Sequence, residues 1–306
     1  MNSRRFLLRH LALALILSSV ALAQGVLTTF AAAQDVITNW TINRPVVNMY
    51  SAPTADSDVV SQAIFGTEVR ITEMKDGWAH IKTPDDYTGW VEPNTVMSPA
   101  NGKHYATGSN VVQVRSLFGH LYRETDVTKH APILTVPFET RLEVAALPDP
   151  SKPGRWLTVL LPDGRKGMLQ AADVQAAALP LSIDDTIALS RKFLGLPYTW
   201  GGTSSYGYDC SGFTQMLVRQ RGKVMPRDAD IQAAWSGLLS VERAQLQPGD
   251  LLFFGSSPQK ITHTGMYIGD GKFINATTHE TPMVRIDNLN EPYWTKLLVA
   301  ARRLKP

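Results

Sequence analysis

At 306 residues the chain is long enough for two or three domains, each with a core of its own. Hydrophobic residues make up 44% and charged residues 19%, which excludes a disordered or fibrous protein. Lysine and arginine number 30 against 27 acids, but residues 1–33 hold three arginines and neither lysine nor acid, so the remainder balances at 27 against 27. With no basic arm and no zinc-type spacing, nothing points to a nucleic-acid partner or a metal.

The chain opens on Arg4, Arg5 and Arg9, followed by an apolar run from Leu11 to Ala23 that ends in Ala21-Leu22-Ala23. This order of basic start, apolar stretch and small-residue cut reads residues 1–33 as an export signal. Ala31-Ala32-Ala33 offers a second cut, and Ser3-Arg4-Arg5 faintly resembles a twin-arginine signal. A retained membrane anchor is the alternative, although the apolar run is short for crossing a bilayer. No cysteine lies near the signal, so no lipid anchor is expected there. The single cysteine, Cys210, cannot close an internal disulfide, so in an exported protein it is either reactive or a small apolar core group.

From residue 34 to 100 short strands alternate with turns: Val46 to Tyr50, Val59 to Phe65, Glu68 to Thr72, Trp78 to Ile81 and Thr88 to Val91. Strands this short suggest a small barrel. Residues 101–177 repeat the plan. Trp78 is followed by Pro84, Asp85 and Gly89, and Trp156 by Pro162, Asp163 and Gly167 at the same offsets. Phe65-Gly66-Thr67-Glu68-Val69 has its counterpart in Phe138-Glu139-Thr140-Arg141-Leu142, and a Pro-rich insertion, Leu147 to Gly154, belongs to the second copy alone. Both copies resemble bacterial SH3 domains, the second one diverged.

Ala171 to Pro180 reads as a linker into a third domain, residues 178–306. Ser182 caps a helix with Asp184 and Asp185 in its first turn and Ile183, Ile187 and Leu194 as its apolar stripe, ended by Gly195. A second helix runs from about Ser211 to Arg221, with Phe213, Met216 and Leu217 on one face. Strands follow at Asp250 to Phe254, Thr264 to Ile268, Lys272 to Ala276, Met283 to Ile286 and Leu297 to Ala301. Helices first and an antiparallel sheet after them make an α+β domain.

Cys210 sits where loop becomes helix, in Tyr208-Asp209-Cys210-Ser211-Gly212-Phe213. The positive end of a helix favours a thiolate, and N–H groups of the first turn can stabilise an oxyanion. A nucleophilic thiol needs a base that later protonates the leaving amine. Of seven histidines, His263 at the start of a strand is the best placed.

Four strings, Tyr198-Thr199-Trp200-Gly201-Gly202, Asp209-Cys210-Ser211-Gly212-Phe213, Leu246-Gln247-Pro248-Gly249-Asp250-Leu251 and His263-Thr264-Gly265-Met266-Tyr267-Ile268-Gly269, resemble the NlpC/p60 family of cell-wall cysteine peptidases in order and spacing. The resemblance implies a papain-like α+β domain. With two SH3-like domains before it, the chain is similar to the YkfC-type branch, the γ-D-glutamyl-L-diamino acid endopeptidases. Peptidoglycan stem peptides or muropeptides are the implied partners, with no cofactor. The family's third catalytic position, twelve residues after the histidine and usually histidine itself, is here Asn275. An amide can hold the imidazole as in papain-like Cys-His-Asn sites, with His279 as the alternative. Asn275 shares a sheet face with His263 only if paired residue numbers in their hairpin sum to an even value. A plain two-residue Asp270-Gly271 turn gives an odd sum, so the assignment needs an odd loop or a bulge.

The branch resemblance further implies Tyr198 as an aid to the oxyanion, Asp209 and Ser211 beside the substrate, Asp228 as partner of the free L-alanine amine, and Tyr87 as a wall of that site. Val60 stands where relatives carry an acid and Ala229 where they carry serine, which leaves the amine site with fewer ligands. Two other readings compete with a hydrolase: a wall-binding module with a vestigial catalytic domain, and an amide or acyl transferase on the same fold.

Overall fold

The computed structural model describes residues 40–100, 102–147, 151, 154–176 and 180–306. The expected export signal, the middle of the Pro-rich insertion and part of the linker lie outside the described residues. Among the described residues no helix is long and apolar enough to cross a membrane.

The first β unit comprises β1 (Trp40–Ile42), β2 (Val46–Tyr50), β3 (Val59–Ile64), β4 (Glu68–Lys75), β5 (Trp78–Lys82), β6 (Thr88–Val91) and β7 (Val96–Met97). The second comprises β8 (Val111–Val114), β9 (Phe118–Tyr122), β10 (Leu134–Pro137), β11 (Arg141–Val144), β12 (Trp156–Leu160), β13 (Lys166–Gln170) and β14 (Val174–Ala176). Each is a seven-stranded sheet, ordered β3-β2-β6-β5-β4-β1-β7 and β10-β9-β13-β12-β11-β8-β14. Counted from the start of each unit, the two orders are identical. The repeat reaches side chains as well: Tyr50 meets Trp78 edge-on at 5.6 Å, and Tyr122 meets Trp156 edge-on at 5.8 Å. Alternate residues of each strand face inward, so Ile42, Met49, Ala79, Ile81 and Val91 fill one core and Val112, Leu121, Val136, Leu142 and Val159 the other.

The third domain carries α1 (Ile183–Ser190), a two-stranded hairpin β15 (Thr203–Ser204) and β16 (Gly207–Tyr208), then α2 (Cys210–Gln220) and α3 (Ala229–Ala234). After them come β17 (Leu238–Ser240), β18 (Leu251–Ser257), β19 (Lys260–Gly269), β20 (Lys272–Thr277) and β21 (Met283–Asn288). The short α4 (Pro292–Leu297) leads into β22 (Leu298–Leu304). The six-stranded sheet runs β17-β22-β18-β19-β20-β21, and α2 packs on it through Phe213, Met216 and Leu217. The stripe expected on α1 is not its buried face. Ile183 and Leu194 are exposed, while Thr186, Leu189, Ser190 and Phe193 are buried. The α-helix gives way to a 3-10 turn at Arg191–Phe193, whose tighter winding brings Phe193 inward and turns Leu194 out.

The linear strand orders leave β3 and β10 as outer strands, and an uncovered edge invites pairing. The β15–β16 hairpin covers both. Thr203 Oγ1 donates to the Gln62 carbonyl at 3.1 Å, and Tyr206 Oη donates to the Thr135 carbonyl at 3.1 Å. Ser205 sits between them, donating to the Leu117 carbonyl at 2.5 Å and accepting from the Phe138 N–H at 3.1 Å. The segment that leads into Cys210 is thereby docked on both β units.

Candidate active site

Cys210 is the first residue of α2, buried to 8% exposure. Asp209 caps the helix, accepting from the Gly212 N–H at 2.7 Å. A close backbone approach seats the turn: a Cβ on Gly202 would lie 2.4 Å from the Gly207 carbonyl oxygen. Burial pushes the Cys210 thiol up to about 12; Asp209 adds to this, while the Thr264 and Ser211 N–H groups and Arg227 oppose it. The helix terminus favours a thiolate, and desolvation works against it.

His263 projects from β19. Its Nε2 lies 2.8 Å from Asn275 Oδ1 on β20. The hairpin between them pairs Met266 with Ile274 and Tyr267 with Phe273, both even sums, then Gly269 with Lys272, an odd sum. The extra residue is Ile268, a bulge next to a turn whose central residues, Asp270 and Gly271, have φ of 53° and 69°. This bulge puts Asn275 on the face of His263. The even register sets Gly265 opposite Asn275, where a Cβ would stand 3.0 Å from that of the asparagine. The imidazole is stacked on Trp294 at 5.3 Å, with Phe254 at 5.6 Å. Burial among these rings lowers its pKa to about 4, against the opposing pull of Asn275, Asp287 and Asp209. Burial thus favours the neutral form of both thiol and imidazole.

Tyr198 bridges to Tyr208 and is half-buried, its hydroxyl pKa raised by burial and then by Cys210 and Asp209. Asp228 begins α3, but its carboxylate caps no helical N–H. It faces Tyr87 of the first β unit instead, and the tyrosine Oη lies 3.2 Å from each of its oxygens. Burial raises the carboxyl pKa of Asp228 although Arg227 pulls it down. Tyr87 is pushed up to about 12, by burial first and Asp228 second. A half-buried carboxylate under such strain is a ready partner for a cation.

Asp209 and Ser211, expected beside the substrate, are engaged within the protein. Arg227 donates from Nη1 to Asp209 Oδ1 at 3.0 Å and to Ser211 Oγ at 2.7 Å, and from Nη2 to Asp209 Oδ2 at 2.5 Å. Its Nε reaches Ser61 Oγ of the first β unit at 3.2 Å. His279 does not take the third position: its ring lies flat on Tyr293 at 3.8 Å.

Residues 195–303 match the NlpC/P60 family, and residues 49–95 match the bacterial dipeptidyl-peptidase Sh3 domain. A γ-D-glutamyl-L-lysine dipeptidyl-peptidase of Bacillus cereus is 33% identical over 261 residues, covering 80% of this chain and 75% of the relative. The chain belongs to the NlpC/P60 family. A second dipeptidyl-peptidase of the same name, from Bacillus subtilis, is 30% identical, with 81% of this chain and 82% of the relative covered. The crystal structure of an NlpC/P60 family protein from Bacillus cereus matches with a TM-score of 0.75 at 27% identity, over 88% of this chain and all (100%) of that one. The protein is thus a cysteine peptidase with a papain-like domain after small β domains.

Within this NlpC/P60 site, sequence reasoning passed over Arg227, Asp287 and Trp294. Arg227 directly precedes Asp228 in the sequence, but its type and place alone assign it no role. Nothing local distinguishes Asp287 or Trp294, whose places against Asn275 and His263 arise from strand pairing and the position of α4.

Proposed function

We propose that this protein is an exported endopeptidase that hydrolyses the γ-D-glutamyl–diamino acid bond of peptidoglycan stem peptides and prefers a free N-terminal L-alanine. Cys210 is the nucleophile and His263 the base, with Asn275 holding the imidazole. The thiol attacks the γ-glutamyl carbonyl as His263 takes its proton, first-turn N–H groups and the Tyr198 hydroxyl receive the oxyanion, and His263 returns the proton to the departing amine. Water then hydrolyses the thioester. Residues 1–33 serve as a signal that is removed, leaving the enzyme in the periplasm or extracellular wall space without a membrane anchor. The divisions 34–100, 101–177 and 178–306 are its working domain limits.

One observation carries the substrate reading: Tyr87 and Asp228, from different domains, meet at 3.2 Å beside the nucleophile helix. A half-buried carboxylate beside a tyrosine suits the ammonium of a free peptide better than the uncharged amide of a glycan-linked one. Arg227 joins this pocket to the Cys210 turn by bonding Asp209 and Ser211. Digestion of the free stem peptide L-Ala-γ-D-Glu-diaminopimelate by wild type and by Cys210→Ala tests the reading. Release of the N-terminal dipeptide by the wild type alone supports it; cleavage by both proteins, or by neither, removes it. N-terminal sequencing of the secreted chain tests the signal.

A further inference from the structure

His263, Asn275 and Asp287 are spaced twelve residues apart and lie on neighbouring strands β19, β20 and β21. Asn275 pairs with Arg285, so Asp287, two residues on, shares its sheet face on the diagonal. The Asp287 side chain is 1% exposed. Its Oδ2 accepts from Asn275 Nδ2 at 2.9 Å, and its Oδ1 accepts from Arg285 Nη2 at 2.8 Å. The same Asn275 Nδ2 lies 3.3 Å from the Arg285 carbonyl oxygen. Both neighbours of this amide nitrogen are acceptors. The NH2 group must face them, which leaves Oδ1 for His263.

We propose that Asp287 is a positioning residue that locks the Asn275 amide and, through it, the Nε2–H tautomer of His263. The lock matters because an amide, unlike a carboxylate, has two different ends. Turned over, Asn275 would present its NH2 to Nε2, the ring proton would move to Nδ1, and no base would remain for the thiol. Asp287 removes that alternative. Its charge also lies one amide away from the imidazolium formed during attack and offsets it. The titratable groups felt at His263 are Asp287 and Asp209, which favour the proton, and His279, which disfavours it.

The decisive variant is Asp287→Asn. Arg285 demands an oxygen, so the new amide must turn its NH2 toward Asn275, which then flips and imposes the wrong tautomer. We expect kcat to fall about 10²-fold or more with KM within a few-fold, as when a catalytic histidine is held in the wrong tautomer. Asp287→Ala leaves space for water to accept from Asn275 and should lose only about tenfold. A carboxylate that merely supported the fold would give the opposite order, with the isosteric amide the gentler change. Nitrogen NMR of the His263 ring at pH 7, assigned with His263→Gln, should show Nε2–H in wild type and Nδ1–H in Asp287→Asn. Nδ1–H in the wild type, an unchanged tautomer in Asp287→Asn, or Asp287→Asn more active than Asp287→Ala would each overturn the proposal. If Asp287→Asn does not fold, the wild-type tautomer alone decides, and that readout is independent of which peptide is the substrate.

Discussion

In the first β unit the turn after β5 runs from Thr83 to Tyr87; in the second the turn after β12 runs from Leu161 to Arg165. The backbones correspond bond for bond. The Thr83 N–H donates to the Tyr87 carbonyl at 2.9 Å and the Leu161 N–H to that of Arg165 at 2.8 Å. Asp86 and Gly164 hold the same left-handed position, at φ of 65° and 83°. The side chains part company. Asp85 accepts from Gln215 of α2 at 2.9 Å, and Tyr87 reaches Asp228. Asp163 instead accepts from Arg165 Nε at 2.6 Å, within its own turn. The second unit holds the catalytic domain at another place, where Gly66 of the first corresponds to Glu139. Both are left-handed, at φ of 79° and 70°. Glu139 accepts from Arg219 Nε at 3.0 Å and Nη2 at 2.8 Å, and from Gln220 Nε2 at 2.6 Å, all at the far end of the nucleophile helix. One scaffold thus serves as a wall of the site and the other as a clamp on its helix, according to which turn carries the reaching side chain.

The largest effect should come from the wall. Asp228→Ala should lower kcat/KM on L-Ala-γ-D-Glu-diaminopimelate about 10²-fold, by removing the partner of the free amine. Wild type should discriminate against the N-acetylated peptide and this variant should not; equal wild-type rates on the two peptides would end the amine-pocket reading. Next, Tyr87→Ala should cost about tenfold in the same assay, the scale of one hydrogen bond to a charged group, while Arg165→Ala leaves activity unchanged. Comparable losses in both would mean that the turns act only through stability.

The clamp should appear in stability instead. Glu139→Ala removes a carboxylate that is 6% exposed from an arginine that is 39% exposed, so water compensates in part and a loss of about 2 kcal/mol is expected in urea unfolding. Glu139→Gly loses the same bonds but relieves the left-handed strain, and should be about 1 kcal/mol more stable than Glu139→Ala. Equal stabilities would show that the strain is absent. The smallest effect separates the two carboxylates by sign. Burial raises the Asp228 pKa in the folded state. Such a group contributes stability below its unfolded value and loses it as pH rises through the folded one, so ionised Asp228 is a net cost at pH 7. Asp228→Asn should raise Tm slightly there, whereas Glu139→Gln should lower it.

The amino-acid sequence by itself determined what is local. The repeat, the strands, the helix start at Cys210 and the site strings are carried by nearest-neighbour patterns of apolar, turn and capping residues. Even the parity of the His263–Asn275 hairpin followed from counting, because side chains alternate on a strand, and the Ile268 bulge supplies the extra residue that the count demanded. Packing decided the rest. The stripe read on α1 failed at Leu194 because periodicity assumes one helical pitch, and the 3-10 turn at Arg191–Phe193 changes it. The helix start at Cys210 was legible, but the opposing burial was not, because helix position is local and desolvation is not: burial raises Cys210 and lowers His263. Arg227 bonding Asp209, Asp287 fixing Asn275 and Tyr87 meeting Asp228 depend on contacts between residues up to 141 positions apart. No local pattern encodes such meetings, because they come from the docking of whole domains and the register of whole sheets.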